Sequence, residues 1–336
     1  MHRELSVETT DYHTAGEPFR IVTGGVPEIP GATVAERRVN AAHERDVETV
    51  RRMLVHEPRG HAGMYGGFLV PPDDDGADLG VVFWHTDGYS TACGHGTIAL
   101  GMWAVESGVV PADPDGVTNV VLDVPSGRVR AAVDVRDGVA RSATFVNVPS
   151  WVAARDVRLD APHGAVHVDV SYGGALFASV PASAFGLEVT PDRYSELIAA
   201  GRLVKHALEG HDVARHPQDP RLSGIYGTIL YDDLGRTASG PHQRNITVFA
   251  DGQVDRSPCG SGTSARLPLL LADGLLGDGE VLTHDSIVGT RFTARVRERD
   301  DAGRVVPEVT GRASLTGRHT FVLRPDDETG TGFTLR

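Results

Sequence analysis

One heptad occurs twice in this chain and constrains the fold more than any other feature. Cys93-Gly-His-Gly-Thr-Ile-Ala99 matches Cys259-Gly-Ser-Gly-Thr-Ser-Ala265 at five of seven positions, with the cysteines 166 residues apart in a chain of 336. A repeat at about half the chain length predicts two similar halves built around the same element. The length agrees, since ~150 residues per domain gives two domains, each able to bury a core. Both cysteines of the protein lie in the repeat, so they read as thiols with a role rather than as a disulfide framework.

Helix-forming sequence follows each copy: Ile98-Ala-Leu-Gly-Met-Trp-Ala-Val-Glu106 and Ala265-Arg-Leu-Pro-Leu-Leu-Leu-Ala272. Each cysteine is therefore expected at a helix N-terminus, where glycines expose backbone N–H groups and the macrodipole favours an anion. Such a position is expected to stabilise a thiolate, lowering its pKa from about 8.5 toward neutrality. It also suits a bound carboxylate. Two such helices aimed at one space would offer one base and one conjugate acid to opposite faces of a carbon, as inversion of an amino-acid α-carbon requires.

Other readings compete at this point. A buried cysteine is usually a small hydrophobe. Gly94-x-Gly96-x-x-Ala99 and Gly260-x-Gly262-x-x-Ala265 fit a loose dinucleotide fingerprint, although Ser90-Thr-Ala92 and Arg256-Ser-Pro258, not buried strands, precede them. Cys93 with His95 suggests a metal or a Cys-His nucleophile, but no third ligand cluster is visible and a hydrolase leaves the second heptad unexplained.

Short β-branched runs bounded by Gly, Pro or Asp predict strands at Phe19–Thr23, Leu79–Trp84, Thr118–Asp123, Val166–Val170, Thr228–Tyr231 and Ile246–Phe249. Helical spacing predicts helices within Thr33–Val55, Thr97–Gly108, Pro191–Gly210 and Thr263–Leu275. The class is α+β with strands dominant. A restart of strand-like sequence after Pro149-Ser-Trp-Val152 predicts a boundary near 150. The first half is expected to span 1–150, completed by the C-terminal 315–336, and the second 151–314.

Charge narrows the partners. With 32 Lys plus Arg against 45 Asp plus Glu the formal charge is −13, so neither nucleic acid nor an anionic membrane is expected. No apolar stretch approaches the ~18 residues of a spanning helix. The opening Met1–Glu8 lacks a signal-type hydrophobic run, and a cytoplasmic location is expected.

Over almost its whole length the chain resembles the proline racemase family. The resemblance is carried by Asp11-Tyr-His-Thr-Ala-Gly-Glu-Pro-Phe-Arg-Ile-Val22, Glu57-Pro-Arg-Gly-His-Ala-Gly-Met-Tyr-Gly66, Ala92-Cys-Gly-His-Gly-Thr97, Tyr172-Gly-Gly174 and the run from Phe249 to Arg266 through Ser257-Pro-Cys259. It implies a diaminopimelate-epimerase-like fold, with strands of each half wrapped around a central helix and the active site between the halves. It also implies that no cofactor is used. The family includes proline racemases, 4-hydroxyproline 2-epimerases and trans-3-hydroxy-L-proline dehydratases.

Carried over by position, Cys93 and Cys259 look like the acid/base pair. The resemblance gives Gly94, His95, Gly260 and Ser261 the substrate carboxylate and its surroundings, Asp255 the ring ammonium, and Tyr65 and Phe249 the cover over the pyrrolidine ring. His13, His61 and His242 read as structural. Family dehydratases resemble the chain at Gly88-Tyr-Ser90 and Tyr226-Gly-Thr-Ile-Leu230 but typically carry Thr where Cys259 stands, and a hydroxyl cannot readily return a proton. Many epimerases carry a His around Gly227, which this chain lacks.

The expectation is a cofactor-independent racemase or epimerase acting at Cα of proline or 4-hydroxyproline through both cysteines. The alternative is a trans-3-hydroxy-L-proline dehydratase using Cys93 as base. A non-catalytic amino-acid binding protein is a remote third, since binding alone needs no thiols. The expected partner is a small-molecule substrate, with a homodimer left open.

Overall fold

In a computed structural model the chain is described over residues 4–161 and 164–335; Met1–Arg3, which open the segment read for a signal, lie outside them. Along the chain come β1 (Leu5–Thr14), β2 (Glu17–Gly24), α1 (Val34–Ala41), α2 (Arg45–Val55), β3 (Tyr65–Val70), β4 (Leu79–His85), β5 (Gly88–Tyr89) and α3 (Gly94–Glu106). The strands β6 (Gly116–Val124), β7 (Gly127–Arg136), β8 (Val139–Val146), β9 (Trp151–Ala161), β10 (Gly164–Tyr172) and β11 (Leu176–Pro181) follow. Next are α4 (Tyr194–Ala207), β12 (Ile225–Thr237), β13 (Gly240–Phe249), β14 (Gln253–Asp255) and α5 (Gly260–Ala272). The chain ends with β15 (Leu282–Ser286), β16 (Arg291–Arg299), β17 (Val305–Gly311) and β18 (Ala313–Leu323).

Two compact units divide the chain: 1–143 with 312–336, and 144–311. The divisions fall within β8 and between β17 and β18, against the boundaries of 150 and 314 expected from sequence.

In the first unit β1 pairs antiparallel with β18 and β2, β2 parallel with β3, β3 antiparallel with β4, β4 parallel with β6, and β6 antiparallel with β7. The second unit runs through the same order of pairings: β10 antiparallel with β9 and β11, β11 parallel with β12, β12 antiparallel with β13, β13 parallel with β15, β15 antiparallel with β16. The duplication seen in one heptad thus extends to topology. β18 takes in the first unit the place that β9 takes in the second, which is why the C-terminal strand belongs with the N-terminal half.

Parallel neighbours need a crossover, normally a helix. Each unit has two. In the first, α1 and α2 join β2 to β3, and α3 joins β4 to β6; in the second, α4 joins β11 to β12, and α5 joins β13 to β15. The two repeated heptads therefore begin the equivalent second crossover.

These crossover helices are the centres of their units. α3 packs against β1, β2, β6, β7 and β18, and α5 against β9, β10, β11, β16 and β17. Every residue of Gly94–Ala104 and Gly260–Leu270 is buried, and a helix apolar or small all round is one that must be enclosed. The other crossovers cover the outer face. Val47, Val50, Met53 and Leu54 of α2 join Phe68, Val82 and Trp84, while Leu197, Ala200 and Val204 of α4 join Leu230, Ile246 and Val248. At ~1.5–3 kcal/mol for each large apolar side chain buried, these clusters are a main driving force for each unit.

Covering both faces makes the central strands read as near-continuous apolar runs. Period-two alternation then decides what the inner helix meets. On β4, Val82 and Trp84 join the outer cluster, while Phe83 lies on the face of Phe19. On β13, Ile246 and Val248 go outward, leaving Asn245, Thr247 and Phe249 on the other face. None of the described helices is long and apolar enough to cross a membrane.

Candidate active site

Cys93 is the N-cap of α3, with the extended backbone usual at that position (φ −152°, ψ 100°), and its sulfur accepts the Gly96 N–H at 3.2 Å. Gly96 is required there: a Cβ would stand 2.4 Å from the Phe19 ring and 2.7 Å from the Cys93 sulfur. Both ring nitrogens of His95 lie 3.5 Å from the same sulfur. The imidazole is gripped edge-on by Tyr65, with centroids 4.9 Å apart, and by Phe19 at 5.8 Å. Tyr65 in turn shares a short hydrogen bond with the Ser90 hydroxyl. Thr14 donates to the His95 carbonyl at 2.8 Å, fixing the first turn from β1.

Cys259 caps α5 through the same bond, its sulfur accepting the Gly262 N–H at 3.3 Å. Its backbone differs. Cys259 has φ 62° and ψ 101°, a region that costs a non-glycine residue ~1–3 kcal/mol and persists only where surroundings impose it. Those surroundings are built. The Asp255 carboxylate accepts both the N–H (2.8 Å) and the hydroxyl (2.7 Å) of Ser257, and the Ser257 hydroxyl oxygen accepts the Cys259 N–H at 3.1 Å.

The electrostatics of Cys259 correct one sequence expectation. Burial pushes this thiol well above its ordinary range, and the neighbouring charge of Asp255 pushes the same way; the Gly262 N–H and the Thr247 hydroxyl oppose them without prevailing. A helix N-terminus lowers a thiol pKa only when its charge meets less desolvation than this. Cys259 rests as a thiol.

Ser261 opens a different possibility at the same turn. Its hydroxyl is buried and makes no hydrogen bond to protein, and a buried unsatisfied hydroxyl calls for a partner. It stands in the first turn of α5 beside N–H groups that have no intrahelical acceptor. A small anion such as a carboxylate would satisfy both.

The first unit therefore brings Gly94, His95 and Tyr65 to Cys93, and the second brings Asp255, Gly260 and Ser261 to Cys259. Phe249, on β13 opposite Gly227, stacks on Tyr226 with centroids 5.4 Å apart. His13 and His61 accept turn N–H groups from Gly16 and Gly63, and His242 pairs with Asp285 at 2.7 Å. Sequence reasoning missed Asn245, Thr247, Ser257, Tyr226 and His284. Alternation along Asn245-Ile-Thr-Val-Phe249 was the available signal for two of them. Among the described residues no group of three His, Cys, Asp or Glu could hold a metal ion.

The family model for proline racemase matches residues 9–334. The chain belongs to the proline racemase family. Among its relatives, a trans-3-hydroxy-L-proline dehydratase of Bacillus thuringiensis subsp. konkukian is 42% identical over 331 residues, 97% of either chain. A 3-hydroxyproline 2-epimerase of Burkholderia multivorans is 43% identical over 336 residues, 98% of either chain. The crystal structure of a hydroxyproline epimerase from Agrobacterium vitis, with bound trans-4-hydroxy-L-proline, matches with TM-score 0.93 at 31% identity, covering 100% of this chain and 96% of its own. A predicted epimerase from Pseudomonas aeruginosa, at 16% identity and TM-score 0.58, shares the fold. The fold is the diaminopimelate-epimerase-like α+β fold, and the chain is an enzyme of this family.

Proposed function

We propose that this enzyme epimerises a hydroxyproline at Cα, with Cys93 and Cys259 as the two acid/base groups and 3-hydroxyproline as the first substrate to test. The observation that carries the reading is that both copies of the duplicated central helix begin with a buried thiol at the N-cap. One base would need one such helix; inversion at carbon uses two.

The thiolate of Cys93 removes the α-proton while the carboxylate, held at the helix starts by groups including Ser261, accommodates the developing enolate-like charge. Cys259, protonated at rest, delivers a proton to the opposite face. Asp255 binds the ring ammonium, and Tyr65 and Phe249 flank the ring. The ring hydroxyl is assigned to C3 because the relative of that activity is 43% identical over nearly the full length, whereas the hydroxyproline epimerase bound to a 4-hydroxy substrate is more distant. Proline and 4-hydroxyproline, the substrates expected from sequence, stand beside it as the next to test.

Dehydration of trans-3-hydroxy-L-proline is the second reading, favoured by the name of the Bacillus relative. Cys93 alone would serve as its base. Incubation of each hydroxyproline and of proline in D₂O, followed by chiral chromatography and NMR, decides between them. Deuterium at Cα with formation of the Cα epimer supports epimerisation; a cyclic imine from the 3-hydroxy compound alone supports the dehydratase.

A further inference from the structure

His284 on β15 is fully buried and has no part in the chemistry above. Its ring stands between two groups that converge on one atom. The Asn245 amide nitrogen lies against the ring, 2.7 Å from Nε2 and 3.3 Å from Nδ1, and donates to the Pro258 carbonyl at 2.9 Å. The Thr263 hydroxyl lies 2.8 Å from Nδ1 and donates to the same carbonyl at 3.0 Å. The single Thr263 hydroxyl proton goes to the Pro258 carbonyl, so the Thr263 oxygen accepts from the ring and the ring proton is on Nδ1.

Pro258 immediately precedes Cys259, the residue held at φ 62°. The repeat supplies a control within the same molecule. In the first heptad the equivalent Thr97 hydroxyl donates to the Cys93 carbonyl at 2.8 Å, and Cys93 keeps an extended cap. In the second, the Thr263 hydroxyl is turned one carbonyl further back, to Pro258, with His284 behind it. β6, the counterpart of β15, carries no histidine.

We infer that His284 is a positioning residue: as the neutral Nδ1–H tautomer it locks Thr263 and Asn245 onto the Pro258 carbonyl and so sets the left-handed backbone that aims the Cys259 thiol. Burial, assisted by the positive charge of Arg266, pushes the imidazole down to about 3, so the relay stays neutral throughout the working pH range. The role rests on the reading of Cys259 as an acid/base group, but two of its tests do not require turnover.

The first test is ¹⁵N NMR of the ring nitrogens of the intact enzyme, assigned by loss of the signal in a His284 variant. A protonated Nδ1 and bare Nε2 are expected; the opposite tautomer overturns the relay. The second uses His284→Leu, which removes the ring's hydrogen bond to Thr263, and His284→Asn, whose amide can replace the Nδ1 donor. In D₂O, Leu should lower kcat at least tenfold with KM within about threefold, and should suppress Cα exchange from one configuration of substrate while sparing the other. Asn should restore most of that loss.

Equal loss of exchange from both configurations, or kcat within twofold of the wild type, overturns the proposal. Should the Leu variant fail to fold, Thr263→Val breaks the relay at its next member and carries the same expectations. Should the wild type exchange no Cα proton, the functional reading fails by itself; the positioning role is then read from the alkylation rate of Cys259 by iodoacetamide, expected to change at least fivefold in the Leu variant and not in the Asn variant. No change there overturns it.

Discussion

Both ring nitrogens of His95 lie 3.5 Å from the sulfur of Cys93, whereas the group pressing on Cys259 is the Asp255 carboxylate. The duplicated helices thus present chemically unequal thiols. Cys93 has an imidazole against its sulfur, while burial, together with the Asp255 carboxylate, keeps Cys259 protonated.

This inequality predicts ordered modification. Iodoacetamide at pH 7 should label Cys93 before Cys259, because the thiolate is the attacking species. Peptide mass spectrometry over time checks the order; faster labelling of Cys259 would contradict the electrostatic picture.

Removing the Asp255 charge should release part of the restraint on Cys259. Since that charge raises the thiol pKa, Asp255→Asn should move the pH profile of Cys259 alkylation to lower pH. The same variant should weaken substrate binding if Asp255 holds the ammonium. A profile unchanged within error would assign the whole shift to burial.

Cys259→Ser should lower epimerisation by about 10²–10⁴-fold, the usual size of one general acid/base contribution. Exchange catalysed through Cys93 from one Cα configuration should persist. Full activity in the variant would remove Cys259 from the mechanism.

Gly173 lies where β10 ends against the first turn of α5, and a Cβ there would come within 2.4 Å of the Ser261 carbonyl oxygen and 2.7 Å of the Ala265 nitrogen. Backbone atoms of a buried helix cannot yield as a flexible side chain does. Gly173→Ala should cost ~3 kcal/mol or more, at the upper end for overpacking, visible as a lower urea midpoint.

Stability should also carry a pH signature of His284. Its folded pKa of about 3 lies below the ordinary histidine value, so the unfolded chain binds the extra proton first. Its contribution is complete above ~6.5 and is lost as pH falls from there toward 3, by up to ~1.4 kcal/mol per pH unit. Urea titrations between pH 7 and 5 should show a shallower pH slope in His284→Asn than in the wild type.

Much of this was legible in the amino-acid order. The repeated heptad announced two halves and both thiols, and the runs at Leu79–Trp84 and Ile246–Phe249 lie in β4 and β13. The central helices begin at Gly94 and Gly260, directly after the cysteines expected at their N-termini and three residues before the apolar period at Thr97 and Thr263, because glycine carries no such period. What sequence did not disclose depends on long-range geometry. The burial that reverses the helix-end effect on Cys259 is set by strands distant in the chain, and His284, one histidine in a five-residue strand, has no local pattern to mark it.

The most direct measurement is proton NMR of trans-3-hydroxy-L-proline incubated with the enzyme in D₂O, with chiral separation of the products. The account predicts loss of the Cα proton signal and appearance of the Cα epimer carrying deuterium, both abolished in the Cys93→Ser, Cys259→Ser double variant. Conversion to a cyclic imine without any epimer, or an unchanged Cα signal, would contradict it.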